Sequence, residues 1–330
     1  MKTIMRSNWR ALLRALCRLL LGIGTLWAIP GSAQAQLYVS EPGGFLGGSV
    51  GEYNATTGAA INPNLISQLG IASALALSGN DLFVANSDNA IGKYNASNGA
   101  GNASFITGLD YPGEIALSGN TLFVANQING TVGEYDATTG AATNASFITG
   151  LSFPWGLALS GKNLLVANSA SNTVGEYNAA TGAAINASFI TGLQGAFGLA
   201  VLNDDLFVSG YGTSNTVGEY DATTGAAINA SFITGLSRPA QLAVSGNNLF
   251  VVNQLNGTIG DYDATTGAAI NASFITGLNN PFGLAVAPGS VPEPSTWSMI
   301  AVGGVVLLAI IHRKKRRTAS AFFVRSANRP

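Results

Sequence analysis

Residues 156–193 read GLALSGKNLLVANSASNTVGEYNAATGAAINASFITGL, and this stretch decides the fold. It contains four short runs rich in leucine, β-branched and aromatic residues, which we name a (156–160), b (163–167), c (173–177) and d (185–193). Turn-forming Gly, Asn, Ser and Thr separate the runs, which is typical of strands. The a-to-b and c-to-d connections are short and contain glycine, as antiparallel hairpins require. The stretch therefore predicts a four-stranded antiparallel sheet.

This unit recurs six times along the chain. Copies of the tetrapeptide Val-Gly-Glu-Tyr, with changes only at the first and third positions, begin at residues 50, 91, 132, 174, 217 and 259, at intervals of 41 to 43 residues. Such a period indicates an array of one supersecondary unit. A four-stranded sheet with apolar residues on both faces needs a neighbour on each side, and a closed ring supplies one to every sheet. We predict an all-β fold, a six-bladed β-propeller of four-stranded repeats; an open β-solenoid is the alternative.

The two ends of the repeat region indicate how the ring closes. Residues 37–40 match a b strand, whereas the last strand before the C-terminal linker, residues 283–286, matches an a strand. One blade would then combine the C-terminal a strand with the N-terminal b, c and d strands. This split blade would close a propeller domain that covers residues 37–289.

Charge divides the chain into segments. The formal net charge is −1, but residues 37–311 contain three basic residues against 16 acidic ones, whereas residues 1–36 and 312–330 carry five and seven basic residues and no acid. Because the repeat region has so few cations, nucleic acid is excluded as a partner. Cys17 and His312 are the single cysteine and histidine. The repeat region therefore lacks thiol nucleophiles, Ser-His pairs, disulfides and zinc sites of imidazole or thiolate.

Residues 1–36 have the composition of a secretory signal peptide. A basic stretch precedes an apolar run at residues 19–29, and the small-x-small site Ala33-Gln34-Ala35 follows. We predict a signal helix and export, with cleavage before Gln36. An uncleaved membrane anchor is the alternative, although the apolar run is shorter than the ~20 residues of a spanning helix.

The C-terminal end combines three features in a fixed order. A linker (290–296) contains Val291-Pro292-Glu293-Pro294, an apolar run (297–311) predicts a transmembrane helix, and a basic tail (312–330) would stay cytoplasmic. This combination resembles the PEP-CTERM sorting signal of exopolysaccharide-producing bacteria with two membranes. The resemblance implies transient retention in the inner membrane, recognition of Pro292, Glu293 and Pro294 by an exosortase-type processing enzyme, and delivery to the cell surface or extracellular matrix. A permanent C-terminal anchor is the alternative.

The repeats themselves resemble two propeller families. Residues 164–174, which begin Leu-Leu-Val-Ala-Asn, and residues 198–201, Gly-Leu-Ala-Val, are similar to the NHL and YVTN repeats. The resemblance implies a propeller fold. It implies less about activity, because those families include scaffolds, protein or RNA binders and occasional enzymes.

Sequence differences among the repeats are concentrated in the b-to-c loops and the d-to-a links. In an up-and-down blade both lie at the same edge, so one face of the ring is the candidate binding surface. Aromatic rings beside amide and hydroxyl groups suit neutral or weakly charged glycans, and also protein partners. Packing between blades is the alternative role for Trp155, Phe197 and Phe282, and plain solvation for Arg238. The candidate binding residues are Tyr111, Trp155, Phe197, Tyr211, Arg238 and Phe282.

We predict no catalytic residue and no metal site. The repeated loop at Asp136 and its counterparts offer one carboxylate each, whereas calcium sites gather several oxygens, so turn capping is the expected role and calcium binding would be weak. The alternative is a calcium-dependent lactonase-type hydrolase. Six-bladed gluconolactonase-type enzymes hold a central metal with Glu, Asn and Asp, and here Glu114 is placed on an inner strand. The candidate asparagines, which end b strands, are Asn86, Asn126, Asn168 and Asn253.

The sequence therefore predicts an exported, non-catalytic propeller at the cell surface or in the matrix, without a cofactor. Its predicted partners are an exopolysaccharide or a surface protein, and transiently the inner membrane. A structural, self-associating coat protein is a further alternative.

Overall fold

The structure, a computed structural model, describes residues 35–43, 47–86, 88–212 and 214–287. These residues form 24 strands in six antiparallel sheets of four strands each, with no helix among them. The predicted signal segment up to residue 34, the C-terminal linker, the apolar segment at 297–311 and the basic tail lie outside the described residues. Within the described ranges, no helix is long and apolar enough to cross a membrane.

Each sheet is one blade. From the channel outward, the strands follow chain order in blades 2 to 6, whereas blade 1 begins with the last described strand. Blade 1 contains β24 (Leu284–Ala287), β1 (Gln36–Glu41), β2 (Gly48–Asn54) and β3 (Ala60–Leu69). Blade 2 contains β4 (Ala72–Ser78), β5 (Asp81–Asn86), β6 (Ala90–Asn95) and β7 (Gly101–Ile106). Blade 3 contains β8 (Pro112–Ser118), β9 (Thr121–Asn126), β10 (Thr131–Asp136) and β11 (Ala142–Ile148).

The other three blades repeat this order. Blade 4 contains β12 (Pro154–Ser160), β13 (Asn163–Asn168), β14 (Thr173–Asn178) and β15 (Ala184–Ile190). Blade 5 contains β16 (Ala196–Leu202), β17 (Asp205–Gly210), β18 (Val217–Asp221) and β19 (Ala227–Ile233). Blade 6 contains β20 (Pro239–Ser245), β21 (Asn248–Asn253), β22 (Thr258–Asp263) and β23 (Ala269–Ile275).

The ring closes through blade 1, as the sequence predicts. β1 pairs antiparallel with β24, with Leu37 opposite Val286. The Ser40 N–H donates to the Gly283 carbonyl at 2.9 Å, and the Gly283 N–H donates to the Ser40 hydroxyl at 2.7 Å. The six innermost strands also contact one another in succession around the ring. The six-bladed propeller is therefore confirmed, and the open solenoid is excluded.

The recurring Gly and Tyr of the c strands depend on each other. A Cβ atom on Gly133 would lie 2.6 Å from the ring of Tyr135, because that ring folds back over the glycine. The corresponding pair has the same close approach in every blade. A side chain at the glycine position would displace the buried tyrosine, which explains why the tetrapeptide recurs with both residues.

The outer strands are irregular, and β15 is shorter than the predicted run d. β15 ends at Ile190, three residues before the predicted end of run d, because the chain turns at Gly192 with φ of 73°. Within β15 the register shifts between Asn186 and Ile190, and the Ser188 N–H donates to the Asn186 side-chain oxygen at 3.1 Å. The same Asn side chain bonds the backbone two residues later in all six blades. The recurrent Asn-Ala-Ser thus forms a bulge on five outer strands, and Asn62-Pro63-Asn64 takes its place on β3.

Candidate functional site: the mouth of the central channel

The b-to-c loops and the d-to-a links lie together on one face, and buried asparagines hold them there. The Asn126 side-chain oxygen accepts the Asp110 N–H at 3.3 Å, and the Asn168 oxygen accepts the Ser152 N–H at 3.2 Å. Blade 6 repeats this bond through Asn253. Three of the four asparagine oxygens that the lactonase alternative offers to a metal therefore already accept a backbone N–H of a link, whereas the Asn86 oxygen is buried and has no hydrogen-bond partner among the described residues.

Several links end in a residue with a left-handed backbone. Tyr111, Phe153 and Arg238 have φ between 52° and 54°, and each precedes the proline that begins an inner strand. This conformation costs a residue with a side chain roughly 1–3 kcal/mol and is concentrated at functional sites. Side-chain oxygens of Asn89 and Asn215 fix two of these residues, accepting the N–H of Tyr111 at 2.9 Å and of Arg238 at 3.0 Å. The links therefore present large side chains in fixed positions.

Five aromatic residues from these loops and strand ends meet at the channel mouth. The Phe197 ring stacks on Trp155 at 4.3 Å and on Tyr211 at 4.3 Å, measured between ring centroids. The Phe282 ring meets Trp155 edge-on at 5.3 Å. With Tyr111 these rings border a cavity of about 430 Å³. We call these five residues and the cavity the aromatic basin.

The structure separates the roles of the six predicted binding residues. Phe197 is buried, with both ring faces covered by neighbours, so it packs between blades, as the alternative interpretation proposes. Tyr111, Trp155, Tyr211 and Phe282 are half-buried and reach the cavity.

Arg238 stacks on the basin instead of extending freely into solvent. Its guanidinium carbon lies 4.6 Å from the centroid of the Tyr211 ring, a cation–π distance. The Tyr211 hydroxyl donates to the Gln254 side-chain oxygen at 2.7 Å. Burial raises the pKa of Tyr211, while the charge of Arg238 and the bond to Gln254 act in the opposite direction. The tyrosine is therefore a neutral, fixed wall of the basin.

Gln127 belongs to the cavity wall and is a residue that the sequence interpretation missed. It follows β9 directly, is 1% exposed, and neither its amide nitrogen nor its amide oxygen has a hydrogen-bond partner among the described residues. Gln254 follows β21 at the equivalent position. A glutamine follows the b strand only in these two repeats, and that asymmetry is the signal in the sequence that could have identified it.

Further along the inner strands, two buried side chains connect opposite sides of the channel. The Gln241 amide on β20 donates to the Glu114 carboxyl on β8 at 2.7 Å, and the Leu157 N–H on β12 donates to its other oxygen at 3.1 Å. The Leu284 N–H on β24 donates to the Gln241 oxygen at 2.8 Å. Burial raises the pKa of Glu114 to about 8, although these donors and the Leu199 N–H oppose the rise. We call Glu114 and Gln241 the channel plug.

The opposite face of the ring carries the acidic turns. The Asp136 carboxylate accepts the backbone N–H of Thr139 at 2.7 Å and that of Thr138 at 3.0 Å. These bonds hold the pKa of Asp136 below its usual value, and Asp221 and Asp263 have the same arrangement. The carboxylates thus cap turns. Among the residues that the structure describes, no group of three or more His, Cys, Asp or Glu is arranged to hold a metal ion.

Neither a protein-family model nor a curated protein sequence matches the chain. Among solved structures, the chain is similar to one in the crystal structure of a nidogen/laminin complex, with a TM-score of 0.65 and 14% sequence identity over 77% of this chain and 99% of that chain. It also matches the computationally designed Ika8 protein, with a TM-score of 0.45 and 17% identity over 74% of this chain and 73% of that one. The likeness to the nidogen/laminin structure supports the propeller fold alone.

Proposed function

We propose that this protein is an exported, surface- or matrix-associated propeller that binds a glycan or protein partner without catalysis. One observation carries the proposal. Four half-buried aromatic residues, predicted as binding residues from loop variation, border one cavity at the channel mouth although they come from four different blades. A cavity with apolar walls and a few polar groups is the usual form of a binding site.

The rim around the basin extends this surface. Four large apolar residues on the same face are exposed, at fractions from 41% to 67%: Ile71, Ile128, Phe153 and Leu255. Exposed apolar groups around an aromatic cavity mark a site of contact with another molecule. A partner would thus contact both the cavity and its rim.

The chemistry of the channel favours binding over hydrolysis. Glu114 is buried, and backbone and amide N–H groups already donate to both of its oxygens. A general base or metal ligand needs a free lone pair that faces the substrate. The lactonase alternative therefore lacks an available carboxylate at the channel plug.

The outer strands favour a binding module over a self-associating coat. Each one carries the Asn side-chain hydrogen bond to its own backbone, at a shift in the strand register. Bulges of this kind reduce edge-to-edge pairing between chains. A self-associating coat would need a contact surface other than the edges of these outer strands.

For localisation, we propose that the terminal segments direct export and then sorting to the cell surface or matrix. The support is the order of the Val-Pro-Glu-Pro motif, apolar run and basic tail in the sequence. In the native host, Glu293→Ala should accumulate as an unprocessed, membrane-bound chain, whereas the wild type should be released with a C-terminus near Pro294. Equal release of both proteins, measured by mass spectrometry, would contradict this sorting proposal.

Binding can be tested with the fragment 35–289, whose ring closes on itself through the pairing of β1 with β24. We expect it to bind host exopolysaccharide or a host surface protein, and Trp155→Ala to weaken binding roughly tenfold or more, since aromatic anchors are frequent hot spots. Tyr111→Ala is the second variant, because its half-exposed side chain can be removed at less cost to folding. Ile228→Ala, an exposed apolar residue on β19, is the control that should bind normally. Absence of binding together with chelator-sensitive lactone hydrolysis would refute the proposal.

A further inference from the structure

Gln127 is the unusual polar group of the aromatic basin. Its side chain is 1% exposed, and neither amide atom is hydrogen-bonded to a described residue of the protein. Burying an unpaired donor and acceptor costs free energy, and native proteins have few such groups. Gln127 is one of the residues that line the cavity, so a bound molecule can supply the missing bonds.

Comparison with Gln254 shows that the fold can satisfy a glutamine at this position. Gln254 follows the b strand of blade 6 as Gln127 follows that of blade 3, and it accepts the Tyr211 hydroxyl at 2.7 Å. In blade 4 the equivalent Ser169 donates its hydroxyl to the Phe153 carbonyl at 2.9 Å. Gln127 therefore differs from its counterparts in having both amide atoms free for a ligand.

The space that Gln127 occupies depends on a glycine. A Cβ atom on Gly113 would lie 3.1 Å from the Gln127 amide nitrogen and 3.2 Å from the Trp155 carbonyl oxygen. These contacts are closer than ordinary van der Waals distances. Glycine at 113 thus makes room for the amide beside the wall formed by Trp155.

The residues that border the cavity indicate an uncharged ligand. They include five aromatic residues with exposed area, the four half-buried rings of the basin and Phe153, together with the Gln127 amide and the Ser169 hydroxyl, but no acidic or basic side chain. Arg238, whose guanidinium lies over the Tyr211 ring, is not among the residues that border the cavity. A carboxylate would lose its hydration without a counter-charge and would meet the negative faces of the rings, which disfavours uronates. An ammonium group could lie against the rings, but it has no acceptor for the Gln127 amide nitrogen.

Two ligand classes could enter such a cavity, and Gln127 discriminates between them. The aliphatic side chain of a protein partner would fill the cavity but leave the buried amide unpaired. A pyranose ring packs its C–H face on the aromatic walls, and two adjacent hydroxyls can accept from the amide nitrogen and donate to the amide oxygen. The saccharide satisfies both requirements.

We infer that the aromatic basin binds a neutral saccharide and that Gln127 recognises two adjacent hydroxyls of its ring. This inference rests on the proposed binding function and narrows it to one ligand class. Gln127 is then the residue that determines specificity, while the rings supply contact area.

The experiment uses the fragment 35–289 and a panel of neutral hexose and N-acetylhexosamine oligosaccharides with matched uronate oligosaccharides. Isothermal titration calorimetry should detect binding of at least one neutral sugar and weaker binding of its uronate counterpart. Gln127→Leu should weaken neutral-sugar binding roughly tenfold or more and raise the melting temperature, because it removes an unpaired buried amide. Gln194→Leu changes an exposed glutamine of the same face that lies outside this cavity, and should leave affinity unchanged.

A measurement on the unaltered protein makes the test independent of how the variants fold. The side-chain amide signal of Gln127 in a ¹⁵N spectrum should shift when the neutral sugar is added. If Gln127→Leu binds the sugar as tightly as the wild type, or the signal stays in place at saturation, the inference is overturned. If a host protein binds through Trp155 and no neutral sugar does, this inference fails and the proposed function stands. If neither binds, both fail.

Discussion

The buried carboxyl of the channel plug gives the protein a specific pH dependence of stability. Burial raises the pKa of Glu114 from its ordinary value of 4.5 to about 8. The folded protein therefore binds this proton more tightly than the unfolded chain. The stabilisation is complete below about pH 4.5 and is lost as the pH rises towards 8. A tenfold change in proton affinity corresponds to about 1.4 kcal/mol. The rise of the pKa from 4.5 to about 8 therefore lowers the free energy of unfolding by about 5 kcal/mol over the full titration.

The substitution Glu114→Gln isolates this contribution. The variant cannot ionise at this position, while other buried carboxyls with raised pKa values, Glu52, Glu219 and Asp261, titrate in both proteins. We expect the free energy of unfolding of the wild type to fall relative to that of Glu114→Gln by about 4 kcal/mol between pH 4.5 and pH 8.5, most of the total effect. Urea denaturation across this pH range measures the difference.

Two opposing effects act on Glu114, and the assay decides between them. Desolvation favours the neutral acid, whereas the N–H groups of Leu157 and Leu199 and the amide of Gln241 favour the carboxylate. A stability difference that is constant with pH would show that these donors outweigh burial and keep Glu114 ionised. The ¹³C shift of its carboxyl carbon gives an independent check, with an expected midpoint near pH 8.

Two further predictions test the repeat. Gly133→Ala should reduce the free energy of unfolding by about 1–3 kcal/mol in urea denaturation, because the new methyl overlaps the Tyr135 ring; an unchanged midpoint would refute the proposed dependence of the two residues on each other. Asn186→Val removes the bond to the Ser188 N–H on β15 and should cause concentration-dependent association in sedimentation velocity. Ala187→Val adds a comparable apolar group while keeping the bond, so equal association of both variants would assign the effect to hydrophobicity alone.

Much of the candidate site could be predicted from the sequence, because loop variation among otherwise similar repeats identifies one face. Tyr111, Trp155, Tyr211 and Phe282 were identified in this way, and the structure places all four around one cavity. Phe197 has the same sequence signal, yet the rings of Trp155 and Tyr211 cover both of its faces and bury it. Whether a ring borders a cavity or fills the space between neighbours depends on contacts among different blades, and those contacts are not local in sequence.

Gln127 and Glu114 show that the contacts of polar residues between blades are likewise not local in sequence. Gln127 and Gln254 occupy equivalent positions in the sequence, but only Gln254 accepts a hydrogen bond from a tyrosine hydroxyl. That hydroxyl belongs to Tyr211, which follows the b strand of the preceding blade. The residue that follows the b strand of the blade before Gln127 is not a tyrosine. Glu114 and Gln241 are 127 residues apart and meet only because the ring curves back on itself.

The sequence by itself determined the blade, the number of blades and the way the ring closes. Each of these follows from a period of about 42 residues and from strand patterns within one repeat, which local chemistry and the need to cover both faces of a sheet dictate. Only the tertiary structure decided which side chains from different blades face each other in the channel. That pairing depends on ring curvature and on desolvation, and both arise only when all six blades are in place.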